Sequence, residues 1–247
     1  MPNSEKGHAK NVANFERQTD SCTGFGATYN PTKNTIKLAA MLIVLTNARS
    51  AMANVGTLLA AKSNAKNARK ALFNVFDSIV TRATNALKAS DVTKETIETA
   101  KSFSRTLKGQ RRKAKLTEIE KQKLEAAGKS TTEISSAHTS MDNLIENFEK
   151  FIKFLSITLP YNPNETDLKV TTLTTYLNDL KAKNSAFMNA EVALANARIS
   201  RNEILYKANT GLVHVAVDSK TYIKSVYGAS SPQYKQVSKL VFKDIKA

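Results

Sequence analysis

One long stretch in the second half of the chain reads YNPNETDLKVTTLTTYLNDLKAKNSAFMNAEVALANARISRNEILYK, residues 161–207. It opens with Tyr161-Asn162-Pro163 and closes on the pattern Ala193-x-x-Asn196-Ala197-Arg198-x-x-Arg201. Between these markers the apolar residues recur at helical spacing, which is typical of a helix with one buried face. The stretch therefore predicts a long helix whose buried side consists of Leu173, Leu177, Leu180, Phe187, Leu194, Ile204 and Leu205.

A degenerate copy of this stretch lies 132 residues earlier in the chain. It opens with Tyr29-Asn30-Pro31 and closes on Ala61-x-x-Asn64-Ala65-Lys66-x-x-Arg69. Upstream of both copies, Asn14-Phe15-Glu16-Arg17 matches Asn147-Phe148-Glu149-Lys150 at an offset of 133 residues. Random similarity seldom keeps an offset so constant, and we interpret the pattern as an internal duplication.

Composition favours long helices over short strands. Only 8 Gly and 5 Pro occur, and 41% of the residues are apolar, while no stretch alternates for long enough to indicate a sheet. The predicted fold is all-α, a tandem duplication of a long-helix antiparallel helical-bundle unit. The predicted divisions are a flexible tail at 1–12, a first helical repeat at 13–107, a basic connector with a short helix at 108–130, and a second helical repeat at 131–247.

Local signals predict where the helices begin. A short helix is expected over Val12–Cys22, and the first long helix is expected to begin at Thr32 to Thr35, after Pro31. The second long helix is expected to be capped by Asn164 or Thr166. In the connector, Thr117 and Glu120 have the spacing of a capping box, which predicts a short helix there.

Cysteine content and hydropathy favour a cytoplasmic location. Cys22 is the single cysteine, so no intramolecular disulfide can form. The first residues are polar and lack the apolar core of a signal peptide. The longest apolar run, Leu38–Leu45, is too short to span a bilayer as a helix, and we expect no transmembrane segment.

The charge is unevenly distributed along the chain. The net charge is +16, with 23 Lys/Arg against 10 Asp/Glu in residues 1–130 and 14 against 11 in residues 131–247. A basic excess can attract phosphate-bearing partners, although it can also serve only as a solvated surface. The candidate anion-binding residues are four that share one helix face and five in a basic run: Lys62, Lys66, Arg69 and Lys70, and Lys108, Arg111, Arg112, Lys113 and Lys115.

Signals for catalysis or metal binding are weak. His8, His138 and His214 have no ligand-like spacing, and nothing near Cys22 in the sequence identifies a base to activate it. We therefore expect no enzyme, cofactor, metal site or small-molecule substrate. The repeated Asn-Ala-[Lys/Arg]-x-x-Arg pattern could contact a phosphate, but an interhelical hydrogen bond that fixes helix packing is the favoured interpretation.

Two functions are compatible with these observations. The favoured one is a non-enzymatic structural or interaction protein, a helical scaffold or self-associating module that binds a protein partner or itself. The alternative is a protein that binds nucleic acid or an anionic membrane surface through its basic first half.

Overall fold

A computed structural model describes residues 3–110, 117–128 and 140–245 of the chain. All regular secondary structure in these residues is helical, which confirms the predicted all-α class. Short 3₁₀ turns at Gly26–Thr28, Asn34–Ile36 and Thr166–Leu168 connect some of the helices. The α-helices of the described residues are α1 (Asn3–Gly24), α2 (Leu38–Phe73), α3 (Phe76–Lys88), α4 (Lys94–Leu107), α5 (Glu118–Ala126), α6 (Met141–Ile157), α7 (Val170–Tyr206), α8 (Leu212–Tyr227) and α9 (Pro232–Ser238).

The chain forms two compact units. The first combines Met1–Ser63 with Asn189–Ala247, and the second is Asn64–Met188. The boundary falls inside both long helices, α2 and α7. Each unit therefore takes segments from both predicted sequence halves, so the halves and the compact units are different divisions of the chain.

The core of the first unit is built from α1, α8, α9 and the adjoining ends of the two long helices. Phe15 of α1, Met41 of α2 and Leu205 of α7 are fully buried there. Partly buried aromatic side chains, including Phe25, Tyr222 and Tyr227, pack around this core. A separate and much smaller cluster holds α2 against α7, in which Val55, Leu194 and Ala197 are buried and Leu58 packs against them.

The core of the second unit is rich in aromatic residues. Phe76 of α3 packs edge to face against Phe148 of α6, with ring centroids 5.1 Å apart, and Phe148 meets Tyr176 of α7 in the same way. The predicted stripe on α7 contributes Leu173, Leu177 and Leu180, which are all buried. Edge-to-face geometry adds to the burial of apolar area because the positive ring edge meets the negative ring face.

Both long helices begin later than the sequence predicts. A 3₁₀ turn precedes each, so α2 begins at Leu38 rather than at Thr32 to Thr35, and α7 begins at Val170 rather than next to Asn164 or Thr166. The two turns are alike in their hydrogen bonding. The buried Tyr29 hydroxyl donates to the carbonyl of Ile36 at 2.7 Å, and Tyr161 donates to Leu168 at 2.7 Å. Each tyrosine takes up a carbonyl ahead of the long helix, which stabilises the tighter turn.

The first helix is longer than predicted. It begins at Asn3, so the described part of the expected tail, residues 3–12, is helical. The polar residues His8 and Asn11 are each only 2% exposed, and both are hydrogen-bonded to Tyr206. The predicted cap of α5 is confirmed, since Thr117 and Glu120 form a capping box.

Candidate functional site

The four basic residues predicted to share one face of α2 differ in their surroundings. Lys62, in the first unit, forms an ion pair with Glu191 of α7 at 2.6 Å. Arg69, in the second unit, donates to the side-chain carbonyl of Asn184 of α7 at 2.9 Å. Lys66 and Lys70 are exposed, and no ion pair involves either within the part of the chain that the structure describes. Two of the four residues thus hold α2 against α7, and two project into solvent.

Arg69 belongs to a polar network between helices. Its guanidinium carbon lies 3.9 Å from the ring centroid of Phe187, a cation–π distance. Asn184 is 7% exposed and donates to the carboxylate of Asp142 at 2.7 Å. The buried amide is thereby satisfied on both sides, as a buried polar group must be to avoid a desolvation cost.

This network includes one residue of the repeated Asn-Ala-[Lys/Arg]-x-x-Arg pattern. In the first copy the arginine, Arg69, makes the interhelical hydrogen bond. The two asparagines, Asn64 and Asn196, are exposed, and Arg201 is buried and bonds to the neighbouring Asn202. Interhelical packing is thus observed for the arginine of the first copy.

Sequence analysis missed Asn184 as the partner of Arg69. The sequence does indicate a buried role for Asn184. Residues 173, 177, 180, 184 and 187 follow one helical stripe, and 184 is the polar position within it. A polar residue inside an apolar stripe needs a buried partner.

The basic run after α4 is described only at its first residue. Lys108 donates to the hydroxyl of Thr81 at 2.5 Å and is partly buried. Arg111, Arg112, Lys113 and Lys115 lie outside the described residues. Of this run, the structure therefore places only Lys108, beside Thr81 of α3.

Helix α2 presents an outward face without charge. Its exposed positions Ile43, Ser50, Asn54, Thr57 and Ala61 are spaced by 7, 4, 3 and 4 residues, so they share one face. We call these five residues the α2 outer face. The ionic groups on this part of the helix, Arg49 and Lys62, pair with Glu16 and Glu191.

Large apolar side chains are exposed on both long helices in the first unit. Ile43 is 61% exposed, and Val192 and Ile199 of α7 are 56% and 59% exposed. The stretch Leu38–Lys88 is long and apolar enough to cross a membrane by length and composition alone, and 22% of its most apolar window is buried. Core helices of water-soluble proteins also pass that test, but they are mostly buried, and this window is not.

Two of the residues considered for catalysis, Cys22 and His8, are buried in the first unit. Cys22 is buried beside Ser219 and Tyr29, and desolvation raises the pKa of its thiol. His8 is buried against Tyr206, His214 is exposed on α8, and His138 lies outside the described residues. Within residues 3–110, 117–128 and 140–245, no group of three His, Cys, Asp or Glu side chains could hold a metal ion.

Comparisons with known proteins add no family assignment. The chain matches no protein-family model, and neither the curated proteins nor the solved structures contain a significant match.

Proposed function

We propose that the chain is a non-enzymatic helical interaction protein that associates with a second copy of itself through the α2 outer face. The observation that carries this proposal is the exposure of an uncharged helix face, with the side chain of Ile43 61% exposed, in a chain of net charge +16. Because the α2 outer face carries no charged side chain, it does not repel a second copy of the same basic chain. Large exposed apolar surfaces commonly mark protein–protein contacts.

The thin packing under this surface supports the same proposal. The cluster that joins α2 to α7 buries Val55, Leu194 and Ala197, with Leu58 beside them. A second copy packed on the α2 outer face would cover the side chain of Ile43, adding roughly 25 cal/mol for each Å² of apolar surface removed from water.

Substituting Ile43→Glu tests the self-association. Multi-angle light scattering should show an oligomer for the wild type and a monomer for the variant, because a contact between two copies would bring two carboxylates into an apolar interface. The side chain of Ile43 is 61% exposed, so the folded chain should keep its stability within about 0.5 kcal/mol.

The matched control is Val217→Glu on α8. Val217 is 52% exposed in the same unit and lies outside the proposed interface, so this variant should associate like the wild type. A wild type that stays monomeric at high protein concentration would refute self-association, as would equal dissociation of both variants.

We further propose that the fold arose by duplication, and two turns support this. The Tyr29 and Tyr161 hydrogen bonds span the same seven residues. In the first unit Lys33, next to its turn, pairs with Asp218 of α8 at 2.5 Å. In the second unit an ion pair also joins the turn to a neighbouring helix, between Asp167 and Arg82 of α3. The two pairs use different positions of the repeat, so the support comes mainly from the matching tyrosine hydrogen bonds.

Binding of a polyanion is a second candidate function, favoured by the exposed Lys66 and Lys70. If all four basic residues of α2 contact phosphates, the variant Lys62→Gln, Lys66→Gln, Arg69→Gln, Lys70→Gln should lower the slope of log K against log salt. Each lost contact on duplex DNA lowers the slope by about 0.9, so four contacts remove between about three and four units. Because Lys62 and Arg69 contact α7, we expect the loss to be about two units instead.

The control for this measurement uses glutamine at Lys181, Lys183, Arg198 and Arg201 on α7. Acidic residues on α7 partly cancel the positive potential of these four residues. The slope of log K against log salt should therefore change less than in the α2 variant. Polyanion binding is rejected if the wild type does not bind duplex DNA or acidic vesicles near physiological salt, or if both quadruple variants behave alike.

A further inference from the structure

The segment that follows α9 runs without helical structure from Leu240 to Ile245. Leu240 and Phe242 pack against the core of the first unit, whereas Val241 and Lys243 are exposed. Alternation of buried and exposed side chains with a period of two is typical of extended backbone. Residues 240–243 therefore lie on the unit as an extended peptide, and after the exposed Asp244 the side chain of Ile245 is again partly buried.

Two buried asparagines of α1 hold the main chain of this segment. The Asn11 amide nitrogen donates to the carbonyl of Lys243 at 2.7 Å, and the Asn11 side-chain oxygen accepts from the Lys243 amide at 3.0 Å. One turn along the helix, Asn14 donates to the carbonyl of Val241 at 2.8 Å. These bonds reach main-chain atoms only, so they do not depend on the side chains of the segment.

The contacts along α1 keep a regular register. Asn14, Asn11 and Gly7 lie opposite Val241, Lys243 and Ile245, so the segment runs antiparallel to the helix. Steps of three or four helical residues rise about 4.5 to 6 Å, and two extended residues advance about 6.6 Å. At Gly7 the end of the Ile245 side chain lies close to the helix, where a Cβ on residue 7 would require it to shift.

Side chains of α7 and α8 also contact the segment or the asparagines that hold it. The Lys220 ammonium of α8 donates to the carbonyl of Leu240 and lies 4.9 Å from the ring centroid of Phe242. The Tyr206 hydroxyl accepts from the Asn11 amide at 3.3 Å and is 2.5 Å from Nδ1 of His8. Asn11 is thereby held in the orientation that serves both the N–H and the carbonyl of Lys243.

We propose that α1 and α8 form a binding groove for an extended peptide whose apolar side chains occupy the positions of Leu240, Phe242 and Ile245. In this structure the groove is occupied by the chain's own segment Leu240–Ile245. Hydrogen bonds from the asparagine side chains to the peptide main chain provide affinity. The need for apolar side chains at the positions of Leu240, Phe242 and Ile245 provides selectivity. In an intermolecular complex the groove binds the segment Leu240–Ile245 of a second copy, which can make every contact that the chain's own segment makes. This site is separate from the α2 outer face, and its failure would leave that proposal intact.

The test is peptide binding to the full-length chain. The probe is a fluorescent peptide of residues 238–245, SKLVFKDI. In the wild type the resident segment competes at an effective concentration of roughly 1 mM. The full-length variant Phe242→Asp loosens that segment and should bind the probe at least about ten-fold more tightly than the wild type.

Adding Asn11→Ala to Phe242→Asp should weaken probe binding about ten-fold, since two hydrogen bonds are lost. Adding Asn67→Ala is the matched control, because Asn67 is exposed on α2 outside the α2 outer face and should leave binding unchanged. A probe with Phe242→Asp should not bind. Equal binding with and without Asn11, or no gain from loosening the resident segment, would overturn the proposal.

Limited trypsin digestion gives an independent readout without the Phe242 substitution. Cleavage after Lys239 and Lys243 should be about ten-fold faster in the variant Asn11→Ala, Asn14→Ala than in the wild type. Circular dichroism checks that both proteins keep their helices. Unchanged cleavage in a folded variant would show that the asparagines do not hold the segment.

Discussion

Replacing Leu177 by alanine should lower the free energy of unfolding by roughly 2–5 kcal/mol. Leu177 is 4% exposed and lies on α7 between Leu173 and Leu180, in the core of the unit Asn64–Met188. Truncation removes buried methyl groups and leaves a cavity that the packed aromatic rings around it can fill only in part. Urea unfolding followed by circular dichroism measures the loss, with an unchanged m-value showing that the same surface is still exposed on unfolding.

Met188→Ala is the matched control for this prediction. Met188 lies on the same helix and in the same unit, but it is 46% exposed. Its truncation should change stability by no more than about 0.5 kcal/mol. A similarly small change for Leu177→Ala would mean that the α7 stripe does not carry the core.

The stripe on α7 could be predicted because helical periodicity is a local property of the sequence. Leu173, Leu177, Leu180, Leu194 and Leu205 are all buried, as their spacing indicates. Phe187 and Ile204 are only partly buried. One face of the Phe187 ring is covered by the guanidinium of Arg69, a residue far away in the chain that the spacing on α7 does not reveal.

Helix starts were predicted less well, because distant residues decide them. Pro31 predicted a helix start at Thr32 to Thr35, yet α2 begins only at Leu38, after a turn held by the Tyr29 hydroxyl. Polar residues at the start of the chain suggested a tail. Their partners Tyr206, Val241 and Lys243 lie about two hundred positions away, beyond the reach of any local pattern.

The basic face of α2 illustrates the same limit for the candidate site. Spacing alone places Lys62, Lys66, Arg69 and Lys70 on one side of a helix. It cannot show that Glu191 and Asn184 on α7 contact two of them. The duplicated pattern in the sequence indicates that two long helices exist, and the tertiary structure determines which of their charged side chains face each other.

Stability should fall steeply as the pH rises from about 10 to about 12. Burial raises the pKa of Tyr161 to about 12, with the nearby carboxylates of Glu165 and Asp167 adding to the shift. Desolvation also raises the pKa of Tyr176 to about 12. In the unfolded chain both phenols lose their protons near pH 10. Above that pH the folded state binds more protons than the unfolded state, so rising pH favours unfolding.

The expected slope is about 1.4 kcal/mol per pH unit for each tyrosine that is protonated only in the folded state. Urea unfolding at a series of alkaline pH values measures it, while tyrosinate absorbance reports when the phenols ionise. Tyr161→Phe removes one titrating group and its hydrogen bond to Leu168. The variant should be less stable than the wild type at neutral pH, by about 1 kcal/mol, and should lose less stability between pH 10 and 12. An equal loss in both proteins would mean that Tyr161 ionises alike in the folded and unfolded chains.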